Sequence, residues 1–245
     1  MLTANTTGQV RIMAREAKKN TEYFCPACNK ALVFKQGAIM VWHFAHKYLG
    51  DCWWPNESEE HHLFKEKLYD YYISLGYKCR LEKITEDRKS IIDLEVVDKE
   101  YHKIAIEIQL SNYTFDKLVK KTRNLTNSGY YTLWLFGGEA IRLIYSKEDD
   151  SFSEDSDWTT DGMYLSHSKF YFGRVYTITR NFMRRVDSEV DPDMEISALY
   201  LEYQTKKIIS KRKYFPIKDF NLLCIENNGF KLARFYDKHY KKDEL

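Results

Sequence analysis

The stretch KIAIEIQL (103–110) constrains the fold most. Its alternation puts Ala105, Glu107 and Gln109 on one face and Ile104, Ile106, Ile108 and Leu110 on the other, which predicts a β-strand. One face is aliphatic and belongs against a core. The other carries a carboxylate and an amide two residues apart. An ionised Glu in so apolar a strand is costly unless it is paired. A divalent cation is the usual partner; the alternative is Lys or Arg at a sheet end.

The preceding stretch SIIDLEVV (90–97) reads as a buried strand interrupted by Asp93. A hairpin through the turn DKEYH (98–102) predicts that Asp93 and Glu107 lie across from one another and share a hard cation, Mg²⁺ or Mn²⁺. Phosphodiester hydrolysis needs charge neutralisation at the phosphate and an activated water, and such a cation supplies both. Gln109 is placed to orient the water or the phosphate, but it cannot offer the positive charge of a Lys. Around these strands the pattern predicts a helix over 57–75 ended by Gly76, a strand over 77–84, a helix over 114–125 ended by Gly129, and a strand over 131–136.

The order helix–strand–strand–strand–helix–strand, with Asp93 and then Glu107-x-Gln109, resembles the PD-(D/E)XK nuclease superfamily. More narrowly, the stretches YFCPACNKALVFKQG, HFAH, ESEEHHLFKEKLY, IIDLEVV, IAIEIQLS and GYYTLWLF resemble the competence protein CoiA family over roughly residues 20–137. The resemblance implies a restriction-endonuclease-like αβββαβ core in a mixed α/β chain, acting on DNA during uptake and processing in bacteria. By position it makes Asp93 and Glu107 the acidic metal ligands and puts Gln109 in the place of the superfamily Lys. The same place holds Gln in the resembling family. Glu57, Ser58, His61 and Lys65 form an ES-x-x-H-x-x-x-K motif at the start of the first helix. Glu57 and His61 are expected near the catalytic site, and Lys65, on the same helix face, is expected to contact phosphate. A helix N-terminus with favourable acidic residues and a solvated polar face is the alternative.

Ahead of this core, Cys25-Pro-Ala-Cys28 is a CxxC knuckle. Fourteen residues separate Cys28 from His43, His46 follows three later, and Cys52 lies six beyond His46. Two such half-sites joined by a hairpin around Gly37 predict a zinc ribbon with a closed, structural Zn²⁺ site. Cys25 and Cys28 are expected ligands, completed by His46 and Cys52, with His43 as the substitute. A redox-active CxxC needs a thioredoxin-like context that this sequence lacks.

The expected organisation is a zinc-ribbon-like module over 1–56, a nuclease-like core over 57–145, an acidic Ser-rich linker or insertion over 146–162, and a C-terminal α/β extension over 163–245. Lys206, Lys207, Lys211, Arg212 and Lys213 form a basic cluster suited to nucleic-acid phosphates. A solvated surface explains such a run equally simply. With 38 basic against 36 acidic residues, overall charge does not choose between these readings. The chain start has no apolar signal-like region, and no apolar run approaches the roughly 18 residues that span a bilayer. A cytoplasmic protein is expected, with the terminal KDEL coincidental. Two functions fit: a metal-dependent deoxyribonuclease, or a DNA-binding accessory protein that keeps the nuclease fold without catalysis and works through a recombination, uptake or defence partner.

Overall fold

Short strands broken by tight turns cannot hold a core singly, and the N-terminal strands share one by pairing. The computed structural model describes residues 1–38, 40–48, 50–54, 56–138, 144–145, 158–159, 174–180, 194–202, 209–215 and 221–235. It divides into two units, Met1–Lys99 and Glu100–Leu245.

In the first unit, β1 (Thr3–Thr6), β2 (Arg11–Met13), β3 (Tyr23–Phe24), β4 (Ala31–Lys35) and β5 (His43–His46) form a five-stranded antiparallel sheet in the order β2-β1-β3-β4-β5. Ala4, Tyr23, Leu32, Phe44 and Trp54 fill its core. Helix α1 (Glu59–Ser74) begins where Ser58 accepts a hydrogen bond from the His61 backbone N–H at 3.2 Å. Glu59 and Glu60 in its first turn suit the positive end of the helix dipole. Phe64, Leu68 and Tyr72, spaced four apart, bury one face against β6 (Lys78–Ile84) and β7 (Ile91–Val97). The turn after α1 needs a left-handed residue, which Gly76 supplies at φ 80°. Strands β6 and β7 pair antiparallel, and Ile84 and Ile91 reach into the core of the five-stranded sheet.

A buried charge network ties these parts together. The fully buried Lys65 ammonium lies 2.6 Å from Glu57 Oε2 and 2.6 Å from Glu82 Oε1. Glu82 also accepts from the backbone N–H of Leu2 at 2.6 Å, the N–H of Thr3 at 2.9 Å and the Thr3 hydroxyl at 2.6 Å. One carboxylate thus joins the N-terminal end of β1 to α1. To do so, Glu82 adopts φ 53°, the left-handed region that a non-glycine residue seldom occupies. Burial alone pushes the Glu57 and Glu82 carboxyls up, but Lys65 leads the charges that hold both below the ordinary range. His62, on the same helix, is 3.0 Å from Glu57 Oε2 and 2.9 Å from the Met1 nitrogen.

In the second unit, β8 (Lys103–Gln109) runs parallel to β9 (Tyr130–Phe136), in register from Lys103↔Tyr130 to Gln109↔Phe136. Helix α2 (Phe115–Asn127) makes the crossover, starting at the Thr114 cap. The Trp134 indole donates to Thr122 Oγ1 at 2.9 Å, and that hydroxyl donates to the Leu118 carbonyl at 2.8 Å. The helix is thereby pinned to the sheet. The far edge of β9 is shared by two parallel neighbours. Thr132 pairs with Leu232 on β16 (Phe230–Phe235), while Leu135 and Phe136 pair with β12 (Arg174–Thr179). Antiparallel strands β13 (Glu195–Glu202) and β14 (Ile209–Phe215) follow β12, and β15 (Leu222–Asn227) forms a hairpin with β16. Two short strands, β10 (Ile144–Tyr145) and β11 (Trp158–Thr159), extend the sheet beyond β14. In the stretch expected as a linker, 146–157 and 160–162 lie outside the described residues. So do Lys206, Lys207 and the terminal KDEL.

The mixed α/β class and the element order α1, β6, β7, β8, α2, β9 match the expectation. Lys65 does not: it is no exposed phosphate contact but the buried centre of an ion triad. Helical periodicity placed it on a face, and the two carboxylates opposite that face decide its role.

Two predictions follow from this network. Lys65→Met leaves two carboxylates buried without their cation and is expected to destabilise the chain by about 3–5 kcal/mol in denaturant unfolding, with Lys65→Arg milder. Burial, outweighing the pull of Glu57, lowers the His62 imidazole to about 4, so between its ordinary value near 6.5 and about 4 the unfolded chain binds the extra proton. Stability is therefore full above about pH 7 and falls by about 3 kcal/mol as pH drops through that window. Protonation of the depressed Glu57 and Glu82 adds a further loss at lower pH. Unfolding curves over a pH series check this, and His62→Gln should flatten the limb above about pH 4.5.

Candidate functional site

The first unit carries two clusters of ligand-type side chains. In the N-terminal module, Cys25 and Cys28 flank a tight turn in which Asn29, at φ 57°, returns the chain towards β4. His46 ends β5, and Cys52 follows it. One ligand atom from each of Cys25, Cys28, His46 and Cys52 lies within 4.8 Å of all the others. The Cys25 and Cys52 sulfurs are 3.8 Å apart, and the Cys28 sulfur is 3.4 Å from His46 Nε2. Zinc bond lengths imply tetrahedral edges of about 3.8 Å between two sulfurs and about 3.5 Å between sulfur and nitrogen. The donor set and the spacing therefore both fit Zn²⁺. The Trp54 N–H donates to the Cys52 sulfur at 3.5 Å, orienting it from outside the cluster. Burial pushes the Cys25 thiol up to about 12, a proton that metal ligation would displace. His43, the substitute ligand, stands apart. Its Nδ1 is 3.0 Å from the Val41 carbonyl, and its ring stacks on His62 at 5.0 Å.

The second cluster is acidic. Glu57 precedes the helix cap, His61 lies in the first turn of α1, and Asp93 sits mid-way along β7. One ligand atom from each lies within 4.8 Å of the other two. His61 Nε2 is 3.2 Å from Asp93 Oδ2, and both side chains are mostly buried. The register of β6 and β7, Leu81↔Leu94 and Lys83↔Ile92, puts Glu82 opposite Asp93. Glu57 and Glu82 contact the Lys65 ammonium, the charge of Asp93 also acts on it, and the Met1 nitrogen lies 3.8 Å from Glu57 Oε2 as a second cation. A group of carboxylates with an imidazole suits a hard divalent cation. The sequence reading found Glu57, His61 and Asp93 but missed Glu82. In KCRLEKI it looks like an ordinary strand charge, and its left-handed backbone leaves no compositional mark.

The second unit carries Glu107 and Gln109 on β8. Glu107 is buried, and its Oε2 accepts from Lys121 Nζ of α2 at 2.6 Å. One partner is therefore a lysine, as the ion-pair alternative anticipated. That lysine comes from a helix, not from a sheet end. Lys121 also lies 5.7 Å from the Trp134 ring centroid, a cation–π contact. Gln109 turns away: its Nε2 donates to the Ser111 carbonyl at 2.8 Å and to the Ser111 hydroxyl at 2.9 Å. Lys121 was not singled out from sequence, because FDKLVKKTRN offers several lysines on an amphipathic helix and nothing marks the one that turns inward. Lys211, Arg212 and Lys213 lie on β14. Among the described residues, no helix is long and apolar enough to cross a membrane.

Residues 7–54 match the model of the competence protein CoiA N-terminal domain, and residues 57–222 match that of the CoiA nuclease-like domain. The competence protein CoiA of Bacillus subtilis (strain 168) is 30% identical over 130 residues, which are 52% of this chain and 35% of that protein. The matched stretch spans about a third of that relative's length. No solved structure matches the chain. The match to the nuclease-like domain alone covers more than half of the sequence, and the chain belongs to the competence protein CoiA family.

Proposed function

We propose that this chain is a Mg²⁺- or Mn²⁺-dependent deoxyribonuclease that acts in DNA uptake, processing or defence. The observation that carries the reading is the convergence of Glu57, His61 and Asp93, each with a ligand atom within 4.8 Å of the other two. Two carboxylates and an imidazole make a donor set that suits a divalent cation there. Such a cation would place Lewis-acid charge on a phosphoryl oxygen and make a bound water acidic. Lys65 holds Glu57 ionised, and His61 brings its Nε2 to 3.2 Å from Asp93 Oδ2. The family pattern adds Glu107 as the second acidic ligand and Gln109 as the group that orients water or phosphate. Lys211, Arg212 and Lys213, with Lys206 and Lys207, are proposed to hold the DNA backbone. The N-terminal module is proposed to carry a structural Zn²⁺ on Cys25, Cys28, His46 and Cys52. A cytoplasmic setting is proposed, since a reducing compartment suits a thiolate-rich zinc site.

A second reading is a DNA-binding accessory protein that does no chemistry. It is favoured by Gln109, which is neutral and bonded to its own loop.

Purified protein is expected to cleave DNA with Mg²⁺ or Mn²⁺. Asp93→Asn and Glu107→Gln should each lower the rate by about 100-fold or more while the fold survives. Binding that persists under chelation, with no cleavage of single- or double-stranded DNA, would favour the accessory reading. Elemental analysis is expected to find about one zinc per chain. Cys28→Ser or Cys52→Ser should release it and His43→Ala should not; retention of zinc by both cysteine variants would remove the proposed ligand set.

A further inference from the structure

We propose that the Lys121 ammonium, held beside Glu107, contacts the scissile phosphate in place of the charge that Gln109 cannot offer. The inference rests on the nuclease reading above and assigns it a residue from outside the strand motif.

Four observations point to Lys121. The strand position two residues after Glu107 holds an amide, and that amide is bonded to Ser111. The Lys121 ammonium reaches Glu107 from α2 instead, at 2.6 Å. The Lys121 side chain is 26% exposed while Glu107 is 1% exposed, so the pair presents its cation outward and its carboxylate inward. Trp134, fixed by its bond to Thr122, fills the space beneath Lys121 and limits where the ammonium can go. An ammonium carries three N–H donors, and the bond to Glu107 orients it. A lysine held this way is a positioned point charge for a phosphate oxygen.

A purely structural ion pair would show the same geometry, so the test separates contact with DNA from support of Glu107. In the full chain, Lys121→Met is expected to lower DNA cleavage by about 100-fold while Mn²⁺ affinity, read by calorimetric titration, stays the same or rises. In an Asp93→Asn background, adding Lys121→Met should weaken DNA binding and reduce the salt dependence of the binding constant by about one phosphate contact. Lys121→Arg should keep that salt dependence, and adding Gln109→Lys to Lys121→Met should restore part of the cleavage rate. If Lys121→Met does not fold, Lys121→Gln is read in the same way. An unchanged salt dependence overturns the inference whatever the cleavage result, as does cleavage by Lys121→Met at the wild-type rate. A loss of Mn²⁺ affinity in Lys121→Met also overturns it, by making the lysine a support for Glu107. If the wild-type chain leaves DNA intact while the salt dependence still drops, the nuclease reading fails and Lys121 remains a phosphate contact.

Discussion

The Lys65 ammonium between Glu57 and Glu82 is the interaction on which the first unit depends. A lysine taken wholly out of water is costly to hold charged, and only close pairing of the kind seen here, two carboxylate oxygens each at 2.6 Å, offsets that cost. The pairing works in both directions. It keeps the lysine protonated, and it keeps two buried carboxyls ionised against a burial effect that would neutralise them. An ionised Glu57 can serve as a metal ligand, whereas a protonated one serves poorly. The charge state of the acidic cluster is thus set by a residue outside the ligand group, one helical turn further along α1.

Glu82 gives this network mechanical reach. Its two oxygens collect three donors from Leu2 and Thr3 as well as the lysine, and Arg11 donates both to the Thr3 hydroxyl and to the Glu82 carbonyl. The five-stranded sheet therefore grips the acidic cluster through hydrogen bonds at β1. It grips it a second time through packing, since Cys25 and Trp54 share a core with Ile84 and Ile91, the latter two positions from Asp93. A module with so small a core gains from a metal that fixes its loops. Tightening the Cys/His cluster would then stiffen both the Glu82 anchor and the start of β7. The role of the N-terminal module can be understood as support for the acidic cluster, without requiring it to touch DNA.

What the sequence made legible was local. Strict alternation found β8, a terminal glycine bounded both helices, and the spacing of Cys25, Cys28, His46 and Cys52 anticipated the cluster that the structure brings together. Asp93 and Glu107 stood out because a charge in an apolar strand is expensive. What stayed hidden were partners. Lys65 was placed on the correct helix face but assigned to phosphate, because periodicity does not say what lies opposite a face. Glu82 and Lys121 were passed over because each sits among similar charges, in KCRLEKI and FDKLVKKTRN, and their neighbours are distant in sequence. The choice among histidines followed the same rule. His43 and His46 are both on β5, three residues apart, and the stacking of His43 on His62 separates their roles.

The Glu107–Lys121 pair bears on the chemistry more than the missing strand lysine does. A catalytic cation is defined by where its charge lies, and a four-carbon stem lets a helix deliver that charge to a place normally served by a strand. Gln109 then need not mark a decayed site. In the proposed arrangement, where α2 supplies the cation, an amide at this position has a different use: its bonds to Ser111 fix the loop that leads into the helix carrying Lys121. Trp134 contributes its ring, held by Thr122, the residue that follows Lys121 on the same helix. Strand, loop and helix in this unit thus agree on one ammonium position, which is the preorganisation that electrostatic stabilisation of a phosphate requires.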